Sequence, residues 1–136
     1  MKKKLKPLNK IVVGVYYAGW EQYRLILCKR DGAEFFWCQE KGKINKIEIN
    51  AEATEWKEIV NMLLHEVFEA LLLQRSRYYP SNDTSNRSTQ YFFAFDHAEL
   101  TRICAAAGEF VSGCYCDLEK AWVKWHRSKG RTVRKT

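Results

Sequence analysis

The stretch Ile59–Leu72 constrains this chain most. Ile59, Val60, Met62, Leu63, Leu64, Val67, Phe68, Leu71 and Leu72 recur at helical spacing and cover more than half of a helix circumference. Such a helix must be packed on more than one side, so the fold is layered around it. Thr54 supplies a candidate N-cap, and Glu55 and Glu58 suit the positive end of the helix dipole. Three polar residues, His65, Glu66 and Glu69, interrupt the apolar run. Burying them unpartnered would cost several kcal/mol, so they require solvent, hydrogen-bond partners or a metal ion.

The residues before this helix read as strands. Ile11–Tyr17 is rich in β-branched and aromatic residues, and Tyr23–Cys28 follows it. Asp31-Gly32 is a two-residue hairpin signal because both residues tolerate positive φ, with Ala33–Gln39 as the return strand. Gly42 marks a further turn, and Ile44–Ile49 alternates apolar with polar residues. The expectation is an antiparallel meander of about four strands. Beyond the central helix, Tyr79–Gln90 is a polar stretch that reads as a flexible loop, with Tyr78 and Tyr79 at the helix end. Asp96 then caps a helix expected from His97 to about Val111, with Glu99 completing a capping-box pattern and Gly113 ending it. A last helix starts near Asp117 and carries Leu118, Trp122 and Trp125 on one face. The fold class is therefore α+β, a small mainly antiparallel sheet packed on a central helix with two further helices.

Charge is unevenly distributed. Residues 1–10 carry Lys2, Lys3, Lys4, Lys6 and Lys10, and residues 127–136 carry Arg127, Lys129, Arg131, Arg134 and Lys135, with no acid in either segment. Setting these ten aside leaves 13 basic residues against 16 acids, so the net charge of +7 conceals a middle of −3. The expected organisation is a basic segment 1–10, one domain over 11–126 and a basic tail 127–136. Such ends suit nucleic acid or an acidic protein partner, although solvated ends are the commoner reading.

Five cysteines without a regular framework favour a reducing compartment. Met1–Lys4 followed by Ile11–Val15 imitates a signal peptide, but the apolar run is short, carries Tyr16 and Tyr17 and lacks a small-residue cleavage site. No segment approaches the ~18 apolar residues of a membrane span. The expectation is a cytoplasmic protein without membrane contact.

The chemistry rests on His65-Glu66-Val67-Phe68-Glu69. On a helix, His65 and Glu69 share a face one turn apart, a spacing suited to two zinc ligands, with Glu66 beside them as general base. His97, opening a later helix, is the candidate third ligand, with Glu109 as its substitute. Cys114 and Cys116 with His126 form a poorer chelate and read as packing or free thiols. HExxE alone is a weak pattern, and a solvated helix face with chance acids explains the same residues.

With its flanks, a strand ending Ile47-Glu48-Ile49 before the helix, Leu64 before the motif, Ala70 after it and Asp96-His97 downstream, the chain resembles compact zincin-like metallopeptidases of phages and bacteria. The resemblance covers roughly residues 43–111. It implies a zincin-like fold with His65, Glu69 and His97 as zinc ligands and Glu66 as the catalytic base, acting on a peptide or protein. Glu69 departs from the second histidine of the commoner motif. The rival reading is a non-catalytic binding protein on the same scaffold, contacting nucleic acid or protein through its basic ends.

Overall fold

The computed structural model describes residues 8–38, 43–75, 77–80 and 91–133. The strands are β1 (Lys10–Ala18), β2 (Glu21–Cys28), β3 (Ala33–Phe36), β4 (Asn45–Asn50), β5 (Arg77–Pro80) and β6 (Tyr91–Ala94), and the helices are α1 (Trp56–Arg75) and α2 (His97–Ser128). The architecture is α+β, with both helices on one face of a four-stranded, mostly antiparallel sheet. Among the described residues, no helix is long and apolar enough to cross a membrane.

The sheet is not the expected meander. Its order is β1-β2-β4-β3, with β2 and β4 parallel and the other pairs antiparallel. Asp31-Gly32 does turn the chain, and Gly32 takes a positive φ of 61°. The turn carries β3 past the position that β4 then fills, so β2 and β3 are not neighbours. The backbone locks this crossing: Asn50 N–H donates to Gly32 C=O (3.0 Å) and Ala51 N–H to Cys28 C=O (2.9 Å). Ile47 and Ile49 of β4, both fully buried, gain apolar neighbours from both sides in this arrangement, whereas the four-residue β3 is left at the edge.

Alternation assigns the two sheet faces. Tyr23, Leu25 and Leu27 of β2 join Ile47 and Ile49 of β4 in the core against the helices. A bulge between Val12 and Gly14 shifts the register of β1 and turns both Val13 and Tyr16 inward. Gly14 is required there, because a Cβ would lie 2.5 Å from the Tyr16 hydroxyl. On the opposite sheet face Ile26 is buried, whereas Val12, Val15 and Tyr17 are exposed.

The second helix also departs from expectation. The two helices read after Asp96 are one continuous α2 of 32 residues. Asp96 caps it as predicted, its side chain accepting from Glu99 N–H at 2.8 Å. Gly113 does not end it. The buried residues Ile103, Ala107, Phe110, Cys114, Leu118, Trp122 and Trp125 continue one apolar stripe through the glycine, and packing along that stripe outweighs a propensity cost of about 1 kcal/mol. Tyr78 and Tyr79 stand in β5, which pairs antiparallel with β6, rather than at a helix end. Most of the predicted Tyr79–Gln90 loop lies outside the described residues.

The turn between β4 and α1 is clamped by the end of α2. Trp122 Nε1 (2.8 Å) and His126 Nε2 (3.0 Å) both donate to Ala53 C=O. Glu52 accepts from Lys129 Nζ, from Arg131 Nη1 (2.8 Å) and from Trp125 Nε1 (3.1 Å). These bonds, that from Lys129 foremost, hold the Glu52 carboxyl at about 2, well below the usual carboxylate range. A lowered carboxyl pKa stabilises the fold above the unfolded value, and that stabilisation is lost as pH falls through the folded one. Glu52→Gln is therefore expected to cost about 1–2 kcal/mol at neutral pH, discounted for partial exposure. In urea unfolding the gap from the wild type should close as pH falls towards 2.

Candidate metal centre

The site is built by α1 and the edge strand β3, which pack against each other. Ile59, Leu63, Val67, Ala70 and Leu71 of α1 are buried in the core, which fixes the rotation of the helix. That rotation puts His65 in solvent and Glu66 at the seam with β3. The His65 side chain is 72% exposed and that of Glu69 34%, against 6% for Glu66.

His65 Nε2 lies 3.7 Å from Glu69 Oε2 and 4.0 Å from Glu66 Oε1. One donor atom from each of the three residues falls within 4.8 Å of the others. Two ligands of a tetrahedral zinc ion are about 3.3 Å apart, given bond lengths near 2.0–2.1 Å. The His65–Glu69 separation is close to this, so the nitrogen-and-oxygen donor pair fits zinc.

Glu66 has a different environment. The backbone N–H of Phe35 in β3 and the Arg30 guanidinium both favour its charge. Burial pushes its pKa up, and the Glu69 carboxylate adds to the rise. His65, the Phe35 N–H and Arg30 oppose it without cancelling it. Arg30 is itself engaged by Glu34 (2.6 Å) and Glu48 (3.0 Å), so its charge is shared. A carboxylate held near donor groups, with its proton affinity raised by burial, has the properties of a general base.

Sequence reasoning placed His65, Glu66 and Glu69 together, and they lie together. His97, exposed in the first turn of α2, is not part of the group, nor is Glu109, exposed farther along the same helix. Cys114 is buried, Cys116 is exposed, and His126 is spent on Ala53. Phe35 and Arg30 were missed. A groove of about 320 Å³, lined by Leu64, His65, Phe68, Glu69 and Leu72, runs along α1 beside the group. No protein-family model, curated protein or solved structure matches the chain.

Proposed function

We propose that the protein is a zincin-like, zinc-dependent peptidase of the cytoplasm. His65 and Glu69 would hold the ion, and Glu66 is the general base. His97 is the candidate further ligand, although it is not among the residues grouped with the pair. The observation that carries this reading is the contrast within one helical turn. An exposed His–Glu pair stands at near-chelating distance, beside a buried carboxylate whose ionisation is disfavoured.

A zinc ion bound at this pair would supply Lewis-acid activation of water and of a substrate carbonyl. Glu66 takes the proton of the attacking water and returns it to the leaving amine. Its raised proton affinity favours the first transfer. Strand β3 is at the sheet edge, so an extended peptide pairing with its outer side would lie along α1. This geometry favours peptides over smaller amides.

The test is cleavage of a mixed peptide library by zinc-reconstituted protein, read by mass spectrometry. The expected result is zinc-dependent cleavage at defined bonds, abolished by chelator and by Glu66→Gln. Cleavage that persists in Glu66→Gln, or none with the ion bound, would overturn the proposal.

A further inference from the structure

The row of residues next to the His65–Glu69 pair is apolar. On a helix, residues four apart fall in one row along the surface, so Leu64, Phe68 and Leu72 form a row beside that of His65 and Glu69. Its eight-residue span is about 12 Å long. At about 100° per residue, Glu66 lies on one side of the His65–Glu69 row and Phe68 on the other. Glu66 and Phe68 therefore flank the pair, the first towards β3 and the second away from it. Leu64, Phe68 and Leu72 are all partly buried, and with His65 and Glu69 they line the groove of about 320 Å³. That volume is at the small end for ligand sites and suits a single side chain. With His65 and Glu69 engaged on an ion, the remaining described residues of the lining are apolar, so a polar guest would be desolvated without a partner.

We propose, resting on the zinc-peptidase reading, that Leu64, Phe68 and Leu72 receive a bulky apolar side chain from the residue on the carbonyl side of the cleaved bond. The proton path fixes the side. The oxygen of water bonds to the carbonyl carbon, the C–N bond breaks, and Glu66 carries the water proton to the amine nitrogen. The amine half of the substrate must therefore lie towards Glu66. The acyl half then extends across the His65–Glu69 pair, onto the apolar row. A leucine or phenylalanine seated there leaves water together with the groove wall. Cleavage after such residues should exceed cleavage after Ala or Ser roughly 10–100-fold in kcat/KM.

The experiment has a turnover arm and a binding arm. In the first, zinc-reconstituted protein cuts the mixed peptide library, and each cut is scored by the residues on its two sides. Leu64→Asn is the main variant, because Leu64 stands outside the described apolar side chains packed on the core. Phe68→Ala is the second, and Glu58→Gln, exposed on α1 outside the groove, is the control. Both groove variants should cut the preference to about threefold or less, through KM rather than kcat, and Glu58→Gln should leave it unchanged. In the binding arm, fluorescence anisotropy compares labelled Ala-Ala-Leu-Ala-Ala and Ala-Ala-Ser-Ala-Ala on zinc-loaded Glu66→Gln protein, which does not turn over. The leucine peptide should bind about 10-fold more tightly, and Leu64→Asn in the same background should remove the difference. Zinc-dependent cleavage without an apolar preference on the carbonyl side, a preference for Lys or Arg drawn by Glu69, a preference untouched by both groove variants, or equal binding of the two peptides would overturn this inference and leave the peptidase reading standing. No cleavage by the zinc-loaded wild type would overturn that reading itself, and the assignment of the groove with it.

Discussion

Glu66→Gln is expected to keep the metal, lower peptide hydrolysis by about 10²–10⁴-fold, and raise the stability of the metal-free protein. The three effects share one cause. Glutamine has nearly the same shape, so the seam between α1 and β3 is preserved. It cannot take a proton from water, so the base is lost. It carries no charge, so the burial that raises the Glu66 pKa no longer acts against folding. The sign follows from linkage. A carboxyl whose folded pKa is raised binds more protons in the native state, and its contribution to stability falls as pH rises above the unfolded value. The gain from Glu66→Gln should therefore be largest at neutral or alkaline pH and vanish in acid. The acid limb of the wild-type pH–rate profile should lie above the usual carboxylate range. Urea unfolding across pH, beside the peptide assay, checks all of this. A variant less stable than the wild type at neutral pH would show that the Glu66 charge is satisfied rather than strained.

Trp122→Ala is expected to destabilise the fold by about 3–5 kcal/mol, a fall in melting temperature of roughly 10–20 °C for a domain of this size. Trp122 is fully buried. It packs against Trp56 and His126, each with ring centroids 5.4 Å away. Its indole N–H also holds Ala53 C=O at 2.8 Å, three residues before α1 begins. Truncation therefore leaves a large cavity at the joint where β4, α1 and α2 meet. The carbonyl is not orphaned, because His126 Nε2 still donates to it. Trp122→Phe, which keeps most of the volume, should for that reason cost only about 1–2 kcal/mol. Thermal melts of the two variants separate the cavity from the hydrogen bond. Equal losses would mean that the hydrogen bond, not the packing, carries the joint.

The helix that carries the site was legible because its signal is local. The 3.6-residue periodicity of Ile59–Leu72 fixes its type, and the same geometry puts His65 and Glu69 on one face. The Asp96 cap was legible for the same reason. The parallel pairing of β2 with β4 was not, because a turn signal such as Asp31-Gly32 states that the chain reverses but not which strand fills the next position. The continuity of α2 was hidden by Gly113, where the local preference yields to the stripe running from Ile103 to Trp125. The burial of Glu66 was also out of reach. It depends on β3 lying along α1, a contact between residues about thirty positions apart that no spacing rule encodes.

The most direct measurement is the zinc content of reconstituted, tag-free protein, determined by elemental analysis on the wild type and on His65→Ala. The account predicts about one zinc per chain in the wild type and almost none in His65→Ala, with the fold of the variant unchanged because His65 is largely exposed. Zinc absent from the wild type, or retained equally by His65→Ala, would contradict it.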